Sequence, residues 1–382
     1  MTNETSPEDG TVRRGLEGVI ADTTAISMVD EATNSLLYHG YPVQELAKYC
    51  SFEEVAYLIW FGELPGQEEL LAFEKHEREQ RELPDELTSM LLELPSTCHP
   101  MDVLRTAVSC LGAFDPEEDN NDVRANLDKS LNLMAKLPTV VAAEQRRRHG
   151  KDPIAPRSDL GFAANFLNMC FDETPTDATV RALDISLILY AEHSFNASTF
   201  AARVIISTLS DIYSSIVGAI GALKGPLHGG ANEAVMRMLD EIGSADRVDA
   251  WLDEMFATHR LVMGFGHRVY KHGDSRVPTM HDALLEISKN YESDGLIALY
   301  ERLQQAMLER RGIHPNLDFP SGPAYHLMGF DTAIFTPIFV ISRITGWTAH
   351  VIEQLSANAL IRPLSSYVGH GPRKVIPILD RA

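Results

Sequence analysis

Cysteine is scarce. Cys50, Cys98, Cys110 and Cys170 are the four in 382 residues, far apart and in apolar surroundings. No C-x-x-C pair occurs, so neither a disulfide framework nor a zinc site is expected, and the four read as buried thiols of a cytoplasmic protein. Positive charge is short as well. Against 54 Asp and Glu stand 33 Lys and Arg, a formal net charge of −21, which argues against nucleic acid or an anionic membrane as partner because both need a basic face. The one basic run, Arg146-Arg147-Arg148-His149, ends a predicted helix, where cations suit the macrodipole. No uninterrupted apolar run reaches spanning length, and the opening MTNETSPEDG is acidic and polar, without a signal-peptide pattern. Residues 1–12 are expected to be disordered. Strand signals are nearly absent: 18–27, short and β-branched between turn residues, is the best candidate.

What the chain has in quantity is helix. Ser51-Phe52-Glu53-Glu54 is a capping box opening a helix that carries Val55, Leu58, Ile59 and Trp60 and stops at Gly62. The same grammar predicts helices near 67–80, 85–94, 100–112, 122–136, 139–149, 159–170 and 177–192, with 150–158 as a connector. Two further helices, near 199–209 and 211–224, are rich in Ala, Ser, Ile and Val on all sides. They are expected to be central, their small residues allowing close approach. More charged amphipathic helices follow at about 231–242, 246–259, 277–290 and 295–310, and a long apolar one at 335–357. The fold class is therefore all-α, with a large domain from 1–217 and 325–382 and a small one from 218–324. The active site is expected in the cleft between them.

Several polar residues break this packing grammar. In Gly225-Pro226-Leu227-His228-Gly229-Gly230 the Gly-Pro pair stops one helix, and the glycines follow an imidazole before a helix that starts near Ala231. Such a loop lets backbone N–H groups approach a ligand and sets His228 at a helix mouth, where neutral imidazole can donate to a developing oxyanion. A turn holding a hydrogen-bonded histidine fits the same residues equally well. The stretch from Met263 to Lys271 flanks His267 with Gly264 and Gly266 and leads into Asp274-Ser275-Arg276; it also reads as a basic loop at a helix end. Asn316-Leu317-Asp318-Phe319-Pro320 sets a carboxylate in an apolar loop, where desolvation would raise its pKa and suit it to be a base, although helix capping is the commoner use of such an Asp. His193 ends a buried helix. Arg343 lies inside an apolar one with no acidic residue in helical reach on its N-terminal side, so a ligand is a candidate for its missing carboxylate, and Arg362 follows in Leu360-Ile361-Arg362-Pro363. A carboxylate base, donors for an enol and a ketone oxygen, and guanidinium forks suit carbon–carbon bond formation on a polycarboxylate.

The chain resembles the citrate synthase family over essentially its whole length, and within it the short bacterial type. The resemblance rests on six blocks: AEHSFNAST at 191–199, GPLHGGANEAV at 225–235, GFGHRVYKHGDSR at 264–276, PNLDFPSGPAY at 315–325, FTPIFVISRITGWTAHVIEQ at 335–354 and IRPLSSYVG at 361–369. It implies that Asp318 takes the α-proton of an acyl-CoA while His228 hydrogen-bonds the thioester oxygen, and that His267 polarises the ketone of oxaloacetate. His193, Arg276, Arg343 and Arg362 match the ligands of oxaloacetate and product, Arg362 entering from the other subunit of a homodimer. For CoA the match points to Leu227, Val262, Met263, Gly264, Phe265, Gly266, Lys271 and Asn316. It implies no permanently bound cofactor and no metal, with acetyl-CoA or propionyl-CoA as co-substrate. The tract 318–325 is more similar to the propionyl-using branch than to strict citrate synthases.

One position departs from the family's pattern. Where relatives carry Tyr-Arg-Gly-Tyr, this chain has Tyr38-His39-Gly40-Tyr41, so His39 is expected to help bind the acceptor and to weaken that binding above neutral pH. Two readings from other classes compete. A non-catalytic helical scaffold predicts damage at His228, His267 or Asp318, and all three are intact. A metal site from His193, His267 and His272 lacks helical His spacing and a completing ligand.

Overall fold

The computed structural model describes residues 12–30, 34–95, 97–266, 270 and 273–381. Among these the chain forms β1 (Ser27–Asp30), β2 (Ser35–Tyr38) and β3 (Tyr41–Pro42), then α1 (Val43–Tyr49), α2 (Phe52–Phe61), α3 (Gln67–Glu79), α4 (Asp85–Leu92), α5 (Pro100–Phe114), α6 (Val123–Arg148), α7 (Phe162–Phe171) and α8 (Asp177–Tyr190). There follow α9 (Ala197–Ile206), α10 (Ile212–Leu223), α11 (Ala231–Ile242), α12 (Val248–Ala257), α13 (Val277–Ser288), α14 (Asp294–Arg311), α15 (Asp318–Leu327) and α16 (Phe335–Ser356). The fold is all-α with one small antiparallel sheet, ordered β1-β2-β3.

Local signals account for several helix ends. Ser51 and Glu54 form the reciprocal capping box of α2, and Gly62 closes it in the left-handed region. Thr176, Asn196 and Asp211 cap α8, α9 and α10 through their side chains. A Cβ at Gly218 would collide with Ile205, so the close approach of α9 and α10 does depend on a small residue. The centre of the core is α16, buried along nearly its whole length and packed against α6, α8, α9 and α10. Burial on this scale stabilises a helix far more than propensity does.

Four features differ from the sequence-based expectation. Residues 18–26 form no strand: Ala25 donates its N–H to Glu353 Oε1 at 2.8 Å, so this segment lies along a helix end instead of a strand edge, and pairing begins at Ser27 with Tyr38. The helices expected on either side of Pro138 are one, α6, because packing against α5, α7 and α16 outweighs the single hydrogen bond that proline removes. Seven-residue α1 is too short to signal itself. The supposed loop around Asp318 is the first turn of α15. Its Pro320 falls within the first helical turn, where a missing N–H costs nothing, and Phe319 is held between Tyr300 and Phe265, each ring 4.5 Å away.

Within 231–327, α11 and α13 pack on α15, and α13 also packs on α8. The basic run closes α6 as a structural feature: Arg147 pairs with Glu144 at 2.8 Å and Arg148 with Asp331 at 3.1 Å. All four cysteines are free thiols. Among the described residues no helix is long and apolar enough to cross a membrane, and no cluster of metal-ligating side chains occurs.

Candidate active site

The end of α8 is the hub. Tyr190 donates its hydroxyl to Asp318 Oδ1 at 2.7 Å, and its carbonyl accepts from Arg343 Nε at 2.6 Å. The Tyr190 ring lies 4.3 Å from Phe339, whose other neighbours are the Arg343 guanidinium at 4.7 Å and the His228 ring at 6.4 Å. Through Tyr190 and Phe339, α8, α15, α16 and the His228 loop thus share one wall.

His228 is half-buried in the turn between α10 and α11. A Cβ at Gly229 would collide with Leu223, so this glycine allows close packing of the loop on α10. The ring's Nε2 faces Ser198, with the backbone N at 3.2 Å and Oγ at 2.7 Å. A backbone N–H can only donate, so Nε2 accepts and the proton of neutral His228 sits on Nδ1. Burial first and the Arg343 charge second push its pKa down to about 4, leaving imidazole neutral at physiological pH. The helix end that contacts the ring is the start of α9, where Ser198 is the second residue, and not α11 as the sequence suggested. Trp347 Nε1 and Asn196 fix the Ser198 hydroxyl at 3.0 and 2.8 Å.

Asp318, half-buried at the first residue of α15, is pushed up to about 6, chiefly by burial, against the pull of the Tyr190 hydrogen bond and of Arg276. A carboxylate so placed is ionised at neutral pH yet basic enough to take a proton. Its backbone N–H donates to Asn316 Oδ1 at 3.1 Å, while Asn316 Nδ2 donates to Gly266 O at 2.9 Å. Asn316 N and Gly266 N donate to Gly264 O and His314 O, each at 2.9 Å. Val262 to Gly266 and Asn316, two of the proposed CoA-binding tracts, therefore lie side by side. Gly264 and Gly266 both have φ of 80°, and a Cβ at Gly264 would press on Val235 and Phe319. Leu227 is exposed on the His228 loop.

The buried arginines differ from each other. Arg276 grips Asp274 bidentately, Nε to Oδ1 at 2.9 Å and Nη2 to Oδ2 at 2.7 Å, and that same Asp274 Oδ2 accepts the Leu317 N–H at 3.1 Å. Arg343, among the described residues, forms no ion pair with a carboxylate, and burial pushes it down to about 10, still protonated at neutral pH. His193 is buried with its ring 5.6 Å from Tyr270, which lies 6.0 Å from the Arg276 guanidinium.

The structure thus brings His193, His228, Arg276, Asp318 and Arg343 together. It does not bring His39 to them. At φ 45° in the β2–β3 turn, His39 directs Nε2 to the Ile59 carbonyl at 3.3 Å, at the end of α2. The neighbouring Tyr38 reaches the hub instead, its hydroxyl donating to the Ile188 and Glu192 carbonyls at 3.1 and 3.0 Å. Arg362 lies in the exposed tail beyond α16 and makes no contact with the cluster. His267, Lys271 and His272 lie outside the described residues. Tyr190, Ser198 and Asp274 were missed as site residues: the first two look like core and capping residues, and only the last, in Asp274-Ser275-Arg276, carried a signal. Recesses of about 850 and 440 Å³ elsewhere on the large helical core contain none of these side chains.

A burial-raised carboxyl and a neutral, oriented imidazole on one wall, with buried arginines beside them, define an enzyme that works by acid–base chemistry. The profile "Citrate synthase, C-terminal domain" matches residues 15–364, and the chain belongs to the citrate synthase family. It is 58% identical to the 2-methylcitrate synthase of Mycobacterium tuberculosis, over 99% of this chain and 95% of that protein. It is 56% identical to the citrate synthase of Mycolicibacterium smegmatis, over 98% and 100%. Among solved structures, a ternary complex of Thermoplasma acidophilum citrate synthase with carboxymethyl coenzyme A and oxaloacetate superposes with a TM-score of 0.92 at 32% identity, covering 97% of this chain and all of that one.

Proposed function

We propose that the protein condenses propionyl-CoA with oxaloacetate and water to 2-methylcitrate and CoA, and accepts acetyl-CoA as a second donor to give citrate. The observation that carries this reading is Asp318, raised by burial and held by Tyr190, on the wall it shares with neutral His228. Asp318 takes the α-proton of the acyl group as His228 Nδ1–H gives its proton to the thioester oxygen, forming an enol that returns this proton to Nδ1 when the thioester carbonyl re-forms in the next step. The enol carbon attacks the ketone carbon of oxaloacetate, whose oxygen takes a proton from His267. Water then cleaves the thioester, and CoA leaves as the thiol. His193, Arg276 and Arg343 bind the acceptor carboxylates, joined by Arg362 of a second subunit in a homodimer. Leu227, the tract 262–266, Lys271 and Asn316 bind CoA. Residues 218–324 close over the remainder when oxaloacetate binds, and the reaction takes place in the cytoplasm.

Of two relatives of nearly equal identity, one is named for 2-methylcitrate and the other for citrate synthesis, and one methylene is worth only about 1–3 kcal/mol of discrimination, which favours use of both donors. Steady-state thiol release with each acyl-CoA at fixed oxaloacetate tests the assignment. Comparable or higher kcat/KM for propionyl-CoA is expected. A strong preference for acetyl-CoA makes the protein a dedicated citrate synthase, and no thiol release with either donor removes the condensing reading.

A further inference from the structure

Among the described residues Arg343 forms no ion pair with a carboxylate, yet one lies close by. The chain from Tyr190 to Glu192 crosses α16 at Arg343 and Gly346: the Tyr190 carbonyl takes Arg343 Nε, the Ala191 carbonyl lies 3.4 Å from Thr345 Oγ1, and a Cβ at Gly346 would collide with Glu192 Oε2 and the Ala191 carbonyl. Glu192 is fully buried in this notch. Its Oε1 accepts from Ser27 Oγ at 2.9 Å and from His350 Nε2 at 2.8 Å, whereas its Oε2 has no hydrogen-bond partner among the described residues. On the far side of His350, Nδ1 faces Arg203 Nη1 at 3.0 Å. A guanidinium only donates, so Nδ1 accepts and Nε2 carries the proton given to Glu192. Arg203 is anchored in turn by Glu353 at 2.7 Å and Asp22 at 3.3 Å. A buried carboxylate oxygen without a local partner is costly unless its charge acts at longer range.

We infer that Glu192 is the resident counter-charge of the acceptor pocket: its carboxylate, held by His350 and Ser27 in the Gly346 notch, balances Arg343 while the pocket is empty and thereby limits how tightly a dicarboxylate acceptor binds. The inference rests on the reading of that pocket as the oxaloacetate site. Burial would raise the pKa of Glu192, but His350, Arg343 and Ser27 outweigh it and the group is held below its ordinary value. Of the charges acting on Arg343, Glu192 is the foremost that favours its cationic form. In this inference Glu192 is a positioning residue and not a ligand of the acceptor. It acts through Arg343 and through the backbone that leads to His193, since Ser27 Oγ, which donates to Glu192, also accepts the Ser194 N–H at 2.8 Å.

Charge and packing roles predict opposite signs. Glu192→Gln keeps the shape and an acceptor for His350 but removes a negative charge that repels the incoming dianion. Calorimetric titration of the full-length protein with oxaloacetate, without acyl-CoA, is expected to give a Kd lower by about 3- to 30-fold in this variant. A loosened loop can only weaken binding, so an unchanged or weaker Kd in the folded variant overturns the inference. Glu192→Asp, which keeps the charge on a shorter stem, carries the test independently if the Gln variant is not recovered: a Kd within about twofold of wild type supports the charge role, and a tenfold weakening overturns it. Absence of binding by the wild type removes the acceptor reading itself, and the inference with it. That outcome is distinct from binding that Glu192 fails to modulate.

Discussion

The His228–Asp318 wall and the arginine pocket beside it handle ionisation in different ways. On the first, burial moves each group away from its ordinary pKa, and a single neutral donor, Tyr190 for Asp318 and the Ser198 N–H for His228, sets its orientation. In the second, burial lowers Arg343 as well, but both guanidiniums stay charged at neutral pH and are offset by buried partners: Arg276 by Asp274 in contact, Arg343 by Glu192 at a distance. Groups that must exchange protons need a pKa near the working pH, whereas groups that bind carboxylates need a permanent charge. One wall therefore answers to pH and to loss of a neutral hydrogen bond. The other answers to loss of charge.

The largest expected break falls on the first wall. Asp318→Asn and His228→Ala are each expected to cut turnover by about 10²–10⁴ or more at saturating substrates while the protein stays folded. Near-normal turnover in either would mean the roles are wrong. Next in size is Tyr190→Phe. The Tyr190 hydrogen bond favours ionised Asp318, so its loss raises the Asp318 pKa further above about 6. The acid limb of kcat/KM should move toward neutral pH, with about a tenfold loss at pH 6 that largely recovers by pH 8.5. A limb that stays in place would reduce Tyr190 to a packing residue, since a packing defect lowers the profile without shifting it.

The same shift has a stability consequence with a definite sign. A carboxyl raised from its unfolded value of 3.8 to about 6 is harder to ionise in the folded protein, so it destabilises the fold above pH 6 and has no such effect below pH 4. Asp318→Asn should therefore be inactive and yet more stable than wild type at pH 8, by on the order of 1–3 kcal/mol or about 1–4 °C in Tm, with the gap closing at pH 4. Melting curves at the two pH values check this, and a variant less stable at pH 8 would contradict it.

Which residues were legible in the sequence follows from the same contrast. His228, Asp318, Arg276 and Arg343 stand out because Gly/Pro punctuation or an apolar context makes a polar side chain conspicuous, and the six family blocks enclose them. Tyr190 and Ser198 act through neutral hydrogen bonds, and a tyrosine closing an apolar helix or a serine after a capping Asn looks the same whether or not it serves a site. Glu192 was visible only as the neighbour of His193, because its meaning depends on a notch at Gly346, 154 residues away in α16. The left-handed turn that points the His39 ring at Ile59 cannot be read from Tyr-His-Gly-Tyr. The helical architecture was legible from capping and periodicity. What escaped were short or proline-bearing elements, namely the sheet, α1, the unbroken α6 and the first turn of α15, whose stability comes from tertiary packing.

The smallest effect on the pH-responsive wall separates its two contacts at His228 Nε2. Ser198 supplies both a backbone N–H at 3.2 Å and a hydroxyl at 2.7 Å, but only the backbone group is obliged to donate. The hydroxyl is already held by Asn196 and Trp347. If the backbone N–H fixes the tautomer, Ser198→Ala leaves Nδ1 protonated and should lower turnover only about 2- to 10-fold, the cost of one modest hydrogen bond. A loss as large as that of His228→Ala would mean instead that the hydroxyl orients the ring, and the account of how α9 holds the imidazole would have to be rewritten around the side chain.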